Sequence, residues 1–193
     1  MSKHQIGLIE PPKHRLKPIP EDELRDGYEV MQRLSKHHRL KLGAIKSRAT
    51  QSYTRSLTTA TIMAVDEMLG RDSMTRSVEG YNAATQRSAD LFGIIDAISI
   101  DATNHRTRYV QACGKDWGSH LVKLSEYPAI ENLRRLLAIR SNTVEMWGWQ
   151  PYPVFLKNGT RGKTQFWYPR VQIITLDFML GKAPPTFTRF WEA

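Results

Sequence analysis

A single cysteine, Cys113, stands in a chain of 193 residues. A lone thiol excludes an internal disulfide framework and any zinc site built from several cysteines. It also fits the reducing cytoplasm, which is the compartment expected here. Long apolar runs are missing as well: the longest, such as residues 91–95, fall far short of the roughly 20 residues that a bilayer-spanning helix needs. Met1-Ser2-Lys3-His4-Gln5 leads into no apolar signal core, so neither secretion nor a membrane partner is expected. No internal repeat is visible. Negative charge is the scarcer sign, with 19 Asp/Glu against 28 Lys/Arg and a formal net charge of +9.

The excess is unevenly spread. Residues 1–57 hold 12 Lys/Arg against 6 Asp/Glu, whereas 58–193 hold 16 against 13. A basic segment of this kind favours a polyanionic partner, because each neutralised phosphate releases condensed counterions. Lys36, Arg39, Lys41, Lys46 and Arg48 are the candidate backbone contacts in this segment. Hydrophobic content of 40% and charged content of 24% are ordinary for a globular domain.

Pro11, Pro12, Pro18 and Pro20 mark an extended arm. From Glu21, Leu24, Tyr28, Met31 and Leu34 recur at helical spacing, and Gly27 weakens that helix. The break near Gly43 closes a basic helical N-terminal extension over residues 1–50. A second helix is predicted over 52–69, with Leu57, Thr61, Ala64, Val65 and Met68 as its apolar stripe and Gly70 as its stop. Strand-like runs follow at 74–81, 91–100 and 107–113, the second apolar on both faces as a buried central strand should be. Residues 101–105 read as a hairpin turn between the last two. A helix over 128–140 precedes strands at 143–149 and 171–176. Three sequential strands can pair as an antiparallel meander, and the 128–140 helix then supplies the crossover that a parallel fourth strand requires. The expectation is an α/β fold, a mixed sheet of four to five strands flanked by helices. Its core spans 51–180, and a Pro/aromatic tail follows at 181–193. That tail, with Phe187, Phe190 and Trp191, is suited to docking on a protein partner or on a second copy of the chain.

Two polar residues interrupt this apolar pattern. Asp96 falls in the buried run, a costly place for a carboxylate unless it is paired or ligates a metal. Gln111 follows 15 residues later on the next strand, at a separation that lets a hairpin bring the two side chains together. Cys113 lies at i+2 from Gln111, on the same face.

The segment Gln86-Arg87-Ser88-Ala89-Asp90-Leu91-Phe92-Gly93-Ile94-Ile95-Asp96 resembles the R-x-x-DLFGFID segment of a branch of the PD-(D/E)XK nucleases. Val110-Gln111-Ala112-Cys113, Ser119-His120 with Lys123, and Glu145-Met146-Trp147-Gly148-Trp149 are similar to its later blocks. The resemblance covers about residues 58–177. It implies the restriction-endonuclease-like core and a Mg²⁺- or Mn²⁺-dependent endonuclease acting on DNA, structure-selective in the sharper form of the reading. Such a metal polarises the phosphoryl oxygen and lowers the pKa of the attacking water. Asp96 and Gln111 would ligate it, with Glu79 or Glu67 as a further acid. The sequence departs from the motif twice. Gln111 replaces the second acid, and Cys113 occupies the place of the lysine. Lys123 or Lys115 would then supply the cation that stabilises developing negative charge.

Plainer roles stand beside these. Asp96 could be a salt-bridged strand-end residue, Gln111 a core hydrogen-bonding group, Cys113 a small buried apolar side chain, and Asp90 a partner of Arg87. His120 is either a phosphate contact or a surface histidine. Lys157, Arg161 and Lys163 either touch phosphates or form a solvated hairpin tip. Trp147, Trp149 and Trp167 read as core aromatics. The competing functional readings are a catalytically inactive nuclease-fold protein that binds DNA or serves assembly, and an unrelated RNA-binding or virion-associated protein.

Overall fold

The computed structural model describes residues 18–38, 50–69, 73–82, 87–114, 116–156 and 158–192. Its elements run, in chain order, α1 (Glu21–His38), α2 (Thr50–Leu69), β1 (Ser73–Ser77), β2 (Gly80–Asn82), β3 (Arg87–Ala89), β4 (Ala97–Asp101), β5 (Arg106–Cys113), α3 (Trp117–Ser125), α4 (Ala129–Leu137), β6 (Asn142–Phe155), β7 (Arg161–Ile174), α5 (Leu176–Met179) and β8 (Thr186–Thr188). One six-stranded sheet has the order β1-β4-β5-β6-β7-β8, and β2 and β3 form a separate two-stranded ribbon. β1, β4 and β5 make the expected antiparallel meander. β6 then lies parallel to β5, in register from Thr107↔Asn142 to Cys113↔Gly148, and β7 and β8 continue antiparallel. Among the described residues no helix is long and apolar enough to cross a membrane.

The mixed sheet flanked by helices agrees with the sequence reading; several particulars do not. The sheet has six strands rather than four to five, because the short β8 adds to the edge of β7. The apolar run at 91–100 is not one strand. Leu91 and Ile95 close a tight turn on each other, and the strand begins only at Ala97. Apolar residues fill both stretches of the sequence equally, so hydropathy could not separate them. The first strand ends at Ser77, and Gly80-Tyr81-Asn82 belongs to β2 instead. The crossover uses two helices, α3 and α4, where one was expected. β7 starts at Arg161, ten residues before the predicted strand, because it pairs along the extended β6.

Each face of the sheet carries its own apolar layer. On one, Leu57, Ala60, Ala64 and Val65 of α2 and Leu24 and Met31 of α1 meet Ala97, Val110, Trp147, Trp149 and Tyr168. This is the predicted α2 stripe, and Trp149 donates from its indole nitrogen to the Thr61 hydroxyl at 2.8 Å. Gly27 has a packing reason to lack a side chain, since a Cβ there would stand 2.2 Å from Cε2 of Tyr168. Three acids in the first turn, Glu21, Asp22 and Glu23, complement the α1 dipole. On the other face Leu121 and Leu124 of α3 and Leu133 and Leu136 of α4 cover Cys113, Val144 and Met146. Phe190 of the C-terminal segment is fully buried in the first layer.

The hairpin between β4 and β5 is held by the Asp101 carboxylate, which accepts from Asn104 N (3.0 Å) and Nδ2 (2.8 Å). Such an Asx arrangement satisfies the turn's own backbone. It fixes the β4–β5 register and thereby sets which side chain of β5 faces Asp96.

Candidate metal centre

Strand pairing brings Asp96 and Gln111 together. Ala97 pairs with Val110, so the next positions outward are Asp96 and Gln111. Gln111 Nε2 donates to Asp96 Oδ2 at 2.6 Å, and the Ala112 backbone N–H donates to the same oxygen at 2.8 Å. Both side chains are buried, Asp96 at 3% exposure and Gln111 at 3%. In this orientation Gln111 presents its amide nitrogen to Asp96. The same nitrogen also donates to the Ala112 carbonyl at 3.3 Å.

Two more carboxylates converge on Asp96. Glu79 follows β1, where Val78 N donates to the Asp96 carbonyl at 2.8 Å. Asp90 arrives by the tight turn: Leu91 and Ile95 exchange both backbone hydrogen bonds at 3.0 Å, which makes Asp90 and Asp96 the facing pair just outside that bridge. Oxygens of Glu79, Asp90 and Asp96 lie within 4.8 Å of one another. Thr58 of α2 donates to Glu79 Oε1 at 3.4 Å, so α2 contributes to the site.

Burial and like charge act on Asp96 in the same direction. Desolvation is the largest influence, the negative charges of Asp90 and Glu79 add to it, and the Ala112 and Gln111 hydrogen bonds oppose it. The net effect is a carboxyl pushed up to about 8. Three oxygen donors of this kind suit a hard divalent cation of the Mg²⁺ or Mn²⁺ type and do not suit a soft one.

The cations expected at the site are placed as follows. Lys123, in the last turn of α3, reaches Asp90 Oδ2 at 2.5 Å and stands half-exposed. Cys113 is buried in the α3/α4 layer, and its thiol is pushed well above the ordinary range by desolvation, with Asp116 and Asp96 adding to the shift. It is a small apolar side chain here, supplying no charge. His120 faces Asp116 through Nε2 at 3.1 Å on the same helix. Arg161 lies 3.7 Å from Glu21, beside the turn of the β6–β7 hairpin. The Lys36 and Lys163 side chains and residues Lys115, Lys157, Arg39, Lys41, Lys46 and Arg48 lie outside the described residues, as does the Glu67 side chain. Trp147 and Trp149 are core residues with no exposed ring face.

Asp90, for which the sequence left open both a pairing with Arg87 and an approach to the site, is placed at the site. The signal was present in Gly93. A glycine midway between two aspartates six residues apart marks a reversal that would fold one onto the other. No protein-family model, curated protein or solved structure matches the chain.

Proposed function

We propose that the chain is a metal-dependent DNA endonuclease whose centre is Glu79, Asp90 and Asp96, with Gln111 orienting Asp96. The observation that carries this reading is the convergence of two further acidic side chains, Glu79 and Asp90, on the buried Asp96 carboxyl, whose pKa is raised. They lie at one end of the β1-β4-β5 meander, beside the parallel β5–β6 pair. An ion held there would polarise a phosphoryl oxygen and lower the pKa of its bound water. The chain's own groups do the rest. The Gln111 and Ala112 donors fix one Asp96 oxygen and leave the other for the ion. Among the described residues, Lys123, ion-paired with Asp90, is a cation at the acidic centre that would face a scissile phosphate. The basic N-terminal segment would grip flanking phosphates without reading bases.

A second reading has its own support. The place of the motif's lysine holds a buried, uncharged Cys113, and Lys123 is ion-paired with Asp90. A nuclease-fold DNA-binding or assembly protein without catalysis would carry those features.

Incubation with supercoiled, linear and branched DNA in Mg²⁺ or Mn²⁺ separates the two. The enzyme reading expects nicking that stops on chelation. It also expects Lys123→Met to slow cleavage about tenfold or more, the loss of one transition-state contact. No cleavage of any of these substrates with either metal would leave the binding module.

A further inference from the structure

The turn that delivers Asp90 to Asp96 has an unexpected tip. Phe92 and Gly93 both have positive φ, 57° and 75°, between the bridged residues Leu91 and Ile95. Two consecutive positive φ angles are suited to Asn-Gly or Gly-Gly. A bulky side chain in the first position is strained, because its Cβ crowds the backbone. Burial does not account for the choice. Phe92 is 46% exposed, while Ile94 and Ile95 beside it are fully buried.

A second exposed ring lies close by. Tyr127, between α3 and α4, is 82% exposed. Asn132 ties the two places together: its side-chain amide donates to the Phe92 carbonyl at 3.3 Å, and its backbone N–H donates to the Pro128 carbonyl at 3.1 Å. Residues 92 and 127 therefore both lie at the N-terminal end of α4. Asp90, two residues before Phe92, is ion-paired with Lys123, four residues before Tyr127. The two exposed aromatic residues are thus carried by the segments that the Asp90–Lys123 pair joins at the acidic centre.

We propose that Phe92 and Tyr127 are a stacking platform for unpaired nucleobases, and that the site takes single-stranded or branched DNA in preference to intact duplex. This rests on the nuclease reading of the acidic centre. In a duplex the faces of the bases are occupied by their neighbours; only an unpaired base can offer its face to an exposed ring. A ring on a backbone-pinned turn is held ready for such contact and loses little freedom on binding. The strain at Phe92 is then the cost of presenting an aromatic where the turn would accommodate asparagine better.

The test is binding in EDTA, where cleavage plays no part, of labelled oligothymidine of about 20 nucleotides and of a hairpin duplex of equal charge. Wild type should prefer the single strand. Phe92→Asn should raise the melting temperature, since the turn is relieved, and weaken single-strand binding about tenfold or more with duplex binding unchanged. Tyr127→Ala, at a position with almost no packing, should weaken single-strand binding similarly without a change in melting temperature. Equal wild-type affinity for the two oligonucleotides, or single-strand affinity unmoved by both variants, would overturn the proposal. So would self-association of the wild type that Phe92→Asn abolishes, since the rings would then serve a second copy. Failure here with metal-dependent cleavage intact removes the substrate class alone; loss of cleavage is read separately, from the acidic residues.

Discussion

Asp96→Asn is expected to lose cleavage by at least ~100-fold and to gain stability at the same time. Asparagine keeps an oxygen for the Ala112 and Gln111 donors, which lie at 2.8 and 2.6 Å, so the fold has no reason to rearrange. What disappears is a negative charge that Asp90 and Glu79 oppose. The pH dependence follows from the direction of the shift. The folded carboxyl titrates at about 8, while an unfolded aspartate titrates at ~3.9. The native state therefore binds the proton more tightly. The stability this contributes is complete below ~pH 4 and is lost as pH rises through about 8. At ~1.4 kcal/mol per pH unit, a shift of this size is a matter of a few kcal/mol. Thermal melts in chelator should show wild type weakening between about pH 5 and about pH 8. The asparagine variant should be flatter and the more stable of the two at the upper end. Parallel profiles would mean that Asp96 titrates as an ordinary carboxylate.

Arg108→Met should cost about 3–5 kcal/mol of stability, the largest single loss expected outside the apolar core. Arg108 of β5 and Glu145 of β6 are buried, at 0% and 1% side-chain exposure. The guanidinium meets the carboxylate through Nε at 2.7 Å and Nη2 at 2.6 Å. From β6 itself, Trp147 Nε1 donates to the Glu145 carboxylate at 3.0 Å and Thr143 Oγ1 donates to it at 3.3 Å, so the carboxylate is fully engaged by β5 and β6 groups. Removing the cation alone leaves that anion buried and uncompensated. Replacing both partners removes the stranded charge as well, so Arg108→Met combined with Glu145→Gln should cost less than the two single changes added together. Urea unfolding of the four proteins measures this directly. Additive losses would show that the pair is not coupled.

The architecture was legible where local pattern and topology agree. The α2 stripe, the β4–β5 hairpin and the parallel fourth strand each follow from residue spacing and from the crossover that a parallel pair needs. Pattern failed where hydropathy is uniform. Residues 91–95 are as apolar as a strand, yet Gly93 turns the chain back, and the strand starts at Ala97. The site was legible through Asp96, an expensive carboxylate in an apolar run, and Gln111 met it as the hairpin required. Asp90 was legible only as an alternative to a pairing with Arg87, because its approach depends on that missed reversal. Nor could spacing show that Arg108 and Glu145, 37 residues apart, close on each other. Charge pairs between strands depend on register, which the sequence encodes only through the turns.

Calorimetric titration of Mn²⁺ into the metal-free protein, at several pH values, goes to the acidic centre itself. Wild type should bind one ion per chain and release a proton from Asp96 on binding. The affinity should rise close to tenfold per pH unit below about 8 and level off above it. Asp96→Asn should bind at least ~100-fold more weakly, with the pH dependence gone. An ion bound equally well at every pH, or bound unchanged by Asp96→Asn, would show that Glu79, Asp90 and Asp96 do not hold it.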